Sequence, residues 1–151
     1  MKKYPKLQVW RPNNIMLIGR VYNHCITFDE RGLRISITDE VGVKVDIVCD
    51  ESSQIIGDYV WSYRFTNEIV ESDSLVDLIQ EAHHNKKTSP VNRIDFYKII
   101  NSGYLDSIEK TGWIGEMVEL EHHMYPVSDG SLEVISDYEP KIHVENSSKH
   151  K

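Results

Sequence analysis

Between residues 33 and 49 apolar and polar side chains alternate almost without a break. Leu33, Ile35 and Ile37 take turns with Arg34, Ser36 and Thr38, and after Asp39-Glu40 the pattern resumes through Val41, Val43, Val45, Ile47 and Cys49. A period of two sends successive side chains to opposite faces of an extended chain, so this stretch predicts half-buried strands. The joints are short. Asp29-Glu30-Arg31-Gly32 and Asp39-Glu40 leave no room for a crossover, so the strands they join must run antiparallel. Val21 to Phe28 before them and Tyr59 to Thr66 after them extend the series, and the first half reads as a β-meander.

The second half mixes elements. Ser72 or Asp73 suits a helix N-cap, Leu75, Val76, Leu78, Ile79 and Ala82 follow helical spacing, and His83-His84 sit at the helix end. Ile94, Phe96, Lys98 and Ile100 read as a strand, Ser102 as the cap of a short helix, and Gly112 as its stop. Val118, Leu120, His122 and Met124 alternate with Glu119, Glu121, His123 and Tyr125, and Ser128-Asp129-Gly130-Ser131 is a strong turn signal before Leu132 to Ile135. Lys141 to Val144 suggests an edge strand. The 151 residues, 40% hydrophobic and 27% charged, suit one globular domain. The expected class is α+β: a twisted antiparallel sheet of six or more strands with one longer and one short helix packed on it. Residues 1–145 are expected to form a single domain and 146–151 a mobile polar tail.

The longest apolar run, Ile15 to Ile18, is far below the ~20 residues of a membrane span, and no apolar segment follows the basic start. With only Cys25 and Cys49 a disulfide scaffold is not expected, which fits a reducing cytoplasm. The net charge of −7 is unevenly placed. Between residues 116 and 145 stand Glu116, Glu119, Glu121, Asp129, Glu133, Asp137, Glu139 and Glu145, against Lys141 alone. Such a segment repels phosphate backbones and attracts basic partners. No nucleic-acid or membrane partner is therefore expected, and the charge can equally serve solubility alone.

Large enzyme classes lack their signatures here: there is no glycine-rich phosphate loop, no Gly-x-Ser-x-Gly and no Cys-x-x-Cys. Glu119, Glu121 and His123 recur at every second position, which on one strand face could hold a divalent cation or do acid–base work, with Asp95 from a neighbouring strand. The same spacing equally describes the polar face of a sheet whose other face, Val118, Leu120 and Met124, is buried. Cys25 and Cys49 read as small buried hydrophobes, and Tyr59, Trp61, Tyr63 and Phe65 as an aromatic stripe packed against the 75–82 helix. That helix carries Asp73, Asp77 and Glu81 four apart, a mildly unfavourable acid stripe. A further possibility is self-association through Trp10, Trp113 and Ile114.

The run His122-His123-Met124-Tyr125-Pro126-Val127-Ser128-Asp129-Gly130-Ser131-Leu132-Glu133-Val134-Ile135-Ser136, ending in Glu139-Pro140, resembles a segment of small acidic bacterial immunity proteins of toxin–immunity loci. The resemblance implies a cytoplasmic, non-catalytic protein that occludes the site of a cognate toxin. The charge pattern points the same way, to a non-enzymatic protein that neutralises a basic protein partner without metal or cofactor. Glu119, Glu121, Asp129, Glu133, Asp137 and Glu139 would supply charged contacts, and Tyr125 and Tyr138 the aromatic anchors. The alternative is a small metal-dependent hydrolase or nuclease built on Asp95, Glu119, Glu121 and His123.

Overall fold

A computed structural model describes residues 5–12, 15, 17–19, 21–52, 57–67, 73–82, 93–109 and 119–146. In chain order the elements are β1 (Lys6–Trp10), β2 (Leu17–Ile18), β3 (Val21–Asp29), β4 (Gly32–Asp39), β5 (Val43–Cys49), β6 (Ser62–Asn67), α1 (Asp73–Ala82), β7 (Arg93–Ile94), β8 (Phe96–Ile100), α2 (Gly103–Glu109), β9 (Glu121–Val127), β10 (Gly130–Ser136) and β11 (Lys141–Asn146). Antiparallel strands dominate, and both helices are short.

The strands do not form one sheet. They divide into a five-stranded sheet, β1-β8-β9-β10-β6, a four-stranded sheet, β11-β5-β4-β3, and a small β2-β7 pair. The meander expected for the first half holds for β3, β4 and β5, while β1 and β6 are edge strands of the other sheet. Length and alternation could not reveal this division, because every strand of a two-sheet protein also buries one face.

The two main sheets share one apolar cluster. Leu33, Ile35, Ile37, Val45, Ile47 and Ile142 contribute from one side, and Phe96, Tyr125, Val127, Leu132 and Val134 from the other. Full burial of a Leu, Ile or Val side chain contributes roughly 1.5–3 kcal/mol, which makes this interface the main source of stability. The five-stranded sheet is covered on its outer face too, where Leu78, Ile79 and Ala82 of α1 pack against Leu7, Tyr97 and Met124. The aromatic stripe is therefore not the partner of α1. Tyr63 and Phe65 on edge strand β6 stay more than 40% exposed, and their rings stack with Phe28 and His24 of β3. Cys49 is buried in the shared core as expected, but Cys25 is exposed on edge strand β3. Burial, and then the neighbouring Asp50, push the Cys49 thiol up to about 12.

The turns are set by local chemistry. Asp29 Oδ1 accepts the Arg31 amide at 2.8 Å in the β3–β4 turn, and Gly32 takes a φ of 116° where a Cβ would collide with the Cys49 carbonyl. The register of β9 and β10, with Gly130 opposite Val127, confirms a tight hairpin at Ser128-Asp129. The His83-His84 pair, Gly112, Trp113, Ile114, Val118 and the tail beyond residue 146 lie outside the described residues.

Asp39 ties the β4–β5 turn to the β2 strand. It is 1% exposed and accepts three backbone N–H groups: Ile18 at 2.9 Å, Val41 at 3.0 Å and Val43 at 2.9 Å. Asp39→Ala orphans three donors, and at roughly 1–3 kcal/mol for each buried unsatisfied group the loss should exceed about 3 kcal/mol. Urea denaturation at neutral pH measures it, and a loss below 1 kcal/mol would show that water replaces the carboxylate.

Candidate functional site

β9 and β10 are the middle strands of the five-stranded sheet, and the polar residues of interest lie on or beside them. Where β8 ends and β9 begins there is an open cleft of about 430 Å³. Glu119, Glu121 and Asp137 bring carboxylates to it, Lys98 an ammonium, and Leu120, Ile99 and Ile100 apolar surface. Lys98 Nζ lies 3.0 Å from Glu121 Oε1 and 3.3 Å from Glu139 Oε1, and Trp10 Nε1 donates to Glu139 at 2.9 Å. Burial disfavours the Lys98 charge, yet its bonds to Glu121 and Glu139 outweigh burial and raise its pKa. His123 Nε2, 3.4 Å from Glu121, together with the Lys98 ammonium, holds the Glu121 carboxyl at about 2. One cation is thus paired with two carboxylates, Glu121 and Glu139, and with Glu119 and Asp137 also lining it the cleft keeps a negative balance.

On the outer face of the same sheet lies a second polar group. Glu133 of β10 receives Arg64 Nε at 2.8 Å and Arg64 Nη2 at 3.1 Å, and its Oε1 is 2.8 Å from His122 Nε2. The other ring nitrogen of His122 is 2.5 Å from Ser102 Oγ. Ser102 caps α2 as expected, with its Oγ accepting the Leu105 amide at 3.0 Å. The Arg64 guanidinium stacks on the Tyr104 ring at 3.8 Å, and the Tyr104 hydroxyl meets Ser62 Oγ. Burial opposes ionisation of Glu133, but the bonds from His122 and Arg64 prevail and hold its carboxyl at about 2.

The residues expected to form one negative platform therefore separate. Glu119, Glu121 and Asp137 share the cleft, with Glu139 joined to it through Lys98. Asp129 sits at the far end of β9, roughly 20 Å along the strand at 3.3 Å per residue, with His24 Nε2 3.9 Å away. Glu133 is 7% exposed and engaged internally. The two aromatic anchors are corrected outright. Tyr125 is fully buried with its ring against Phe96, and Tyr138 donates its hydroxyl to the Tyr59 carbonyl at 2.6 Å while accepting the Glu51 amide. Tyr125 belongs to the interior, and Tyr138 is half-buried against it with its hydroxyl engaged by backbone groups. The cause is the central position of β9, which is covered on both faces, so that the face bearing Glu121, His123 and Tyr125 points into the molecule.

The Asp95, Glu119, Glu121 and His123 constellation does not assemble. Asp95 is 4% exposed and bound by Arg11, with Nε 2.8 Å and Nη2 3.3 Å from its oxygens. Among the described residues no three His, Cys, Asp or Glu side chains gather in a way that could hold a metal ion. His123 is packed edge-on to Trp10; its Nε2 approaches Glu121 at 3.4 Å as a long electrostatic contact short of hydrogen-bond geometry, and its Nδ1 has no hydrogen-bond partner among the described residues. Sequence reading missed the Ser102–His122–Glu133 connection because spacings of 20 and 11 residues carry no signal. Only the adjacency of β8, β9 and β10 brings the three together. No family model matches this chain, and no curated protein or solved structure matches it. No helix among the described residues is long and apolar enough to cross a membrane.

The two depressed carboxyls fix an acid response. A carboxyl held near 2 when folded, against 4.5 when free, contributes stability above pH 4.5 and loses it as pH falls toward 2. Glu133→Gln should lower stability at pH 7 and flatten its decline between pH 4.5 and 2.5. Urea titrations at those three pH values test this, and an unchanged slope would refute it.

Proposed function

We propose that this chain is an acidic binding protein that neutralises a basic protein partner, in the manner of a bacterial immunity protein or toxin inhibitor acting in the cytoplasm. The observation that carries the reading is the cleft at the β8–β9 end, where Glu119, Glu121 and Asp137 outnumber Lys98 and Ile99, Ile100 and Leu120 add apolar lining. A lysine or arginine from a partner has an aliphatic stem and a charged head. The stem fits against Ile100, which is 44% exposed, and the head meets the carboxylates that line the cleft, Glu119 foremost. Glu121 and Glu139 are already committed to Lys98, so their part is to keep that ammonium from repelling the incoming cation. The resemblance of residues 122–136 to immunity proteins supports the same role, with Glu133, Tyr125 and Tyr138 now assigned to the scaffold rather than the interface.

Charge of this kind acts mainly on encounter rate and specificity. Glu119→Lys with Asp137→Lys should slow association with the protein captured from native lysate by at least tenfold at 50 mM salt. The double variant should also lose most of the salt dependence seen with the unaltered chain. Surface plasmon resonance at 50 and 300 mM salt reads both effects, and an unchanged on-rate would exclude the cleft as the docking site.

A further inference from the structure

The connection from β8 to α2 is a sharp strand-to-helix turn. Ile100 ends the strand, Asn101 takes the left-handed backbone at a φ of 58°, Ser102 follows, and α2 begins at Gly103. In α/β hydrolases the nucleophilic serine itself sits on a strained strand-to-helix turn; in this chain Asn101 takes the strained backbone and Ser102 follows it. Here the hydroxyl meets His122 of the next strand, and His122 in turn meets Glu133 of the strand after that, at 2.5 and 2.8 Å.

The proton positions follow from the partners. Glu133, which also takes both Arg64 bonds, is an acceptor on every side, so His122 Nε2 carries a proton toward it. In the neutral imidazole that leaves Nδ1 with a lone pair. Ser102 Oγ accepts the Leu105 N–H with one lone pair and keeps its own proton free to bridge to Nδ1. Nucleophile, base and orienting carboxylate are thereby in series, and such sites are defined by geometry and roles rather than chain order. The two ring nitrogens are exchanged relative to the serine-protease arrangement, but the path of the proton is the same. All three residues are 7% exposed or less, and of the three it is His122 that lines the open cleft, with Ser102 and Glu133 behind it.

We infer that Ser102, His122 and Glu133 form an acyl-transfer site that accepts small uncharged or cationic acyl esters through this cleft. In the first half-reaction Ser102 Oγ bonds to the ester carbonyl carbon while its proton passes to His122 Nδ1, and Glu133 stabilises the imidazolium. Collapse breaks the bond to the leaving alcohol, which takes the proton from Nδ1 and leaves an acyl-serine. Water then attacks the acyl carbon, giving one proton to Nδ1, and that proton returns to Ser102 Oγ as the carboxylic acid departs. The net change is ester and water to acid and alcohol. The carboxylates at the cleft rim disfavour anionic acyl groups, while Leu120 and Ile100 offer apolar surface. Ser102 and His122 are the catalytic residues; Glu133 and Arg64 are positioning residues.

A fluorophosphonate probe, which phosphonylates an activated serine by displacing fluoride, tests this on the full chain, with the adduct located by peptide mass spectrometry. Hydrolysis of p-nitrophenyl acetate provides a parallel rate. The expected results are an adduct on Ser102 and an esterase rate that falls to background in Ser102→Asn, whose side-chain oxygen still caps α2. Glu133→Gln should slow labelling at least tenfold at a temperature where circular dichroism shows it folded. No adduct on Ser102, an adduct elsewhere instead, or equal esterase rates in the unaltered chain and Ser102→Asn would each overturn the inference. The three residues would then be a strut that holds α2 on the sheet. None of these outcomes bears on the binding role of Glu119 and Asp137, which is read by a different assay.

Discussion

The apolar contact between the inner faces of the two main sheets is the constraint from which the rest follows. Leu33, Ile35 and Ile37 must face Leu132 and Val134, and that fixes β9 and β10 as middle strands. With α1 covering the outer face at Tyr97 and Met124, β9 is covered on both sides, and on β10 the outer-face residues Glu133 and Ile135 are buried as well. A polar side chain on a doubly covered strand costs stability unless it is paired. Glu133 answers that with Arg64 and His122, and Glu121 answers it with Lys98 and His123. The polar chemistry of the molecule is therefore a by-product of how its apolar faces close.

The same constraint redistributes the charge. Counted along the chain, residues 116–145 look like one acid surface. In space, Glu133 is internal, Asp129 lies at the opposite strand end, Glu121 and Glu139 pair with one ammonium, and Glu119 and Asp137 line the same cleft. What reaches solvent as a concave acid surface is smaller and more local than the count suggests. His122 stands between the two polar groups, lining the cleft while bonded to Ser102 and Glu133. A partner seated in the cleft would lie against the imidazole of the second group.

Local features were legible where the determinant is local. The alternation through β4 and β5, the Asp29–Gly32 turn, the Ser128–Asp129 hairpin and the Ser102 cap all rest on contacts within a few residues. The errors concern which face of a strand is inside. Tyr125 and Tyr63 both stand on alternating strands, yet Tyr125 is fully buried on a middle strand and Tyr63 is half exposed on an edge. Alternation is identical in the two cases, because a period of two names the faces without saying what covers them. The pairing of Asp95 with Arg11 was hidden for the same reason, since the two are 84 residues apart and meet only through the β1–β8 ladder.

By itself the sequence determined that antiparallel strands would dominate, where several of the turns would fall, and that the last third would be acidic, since each depends on side-chain period, backbone preference or a sum of charges. Only the tertiary structure decided that the strands form two main sheets, that Glu133 is internal while Asp129 lies at the other end of β9, and that a serine, a histidine and a glutamate from three successive parts of the chain touch. Those outcomes depend on which strands lie side by side, and strand order is set by burying apolar area over the whole chain rather than by any short stretch of it.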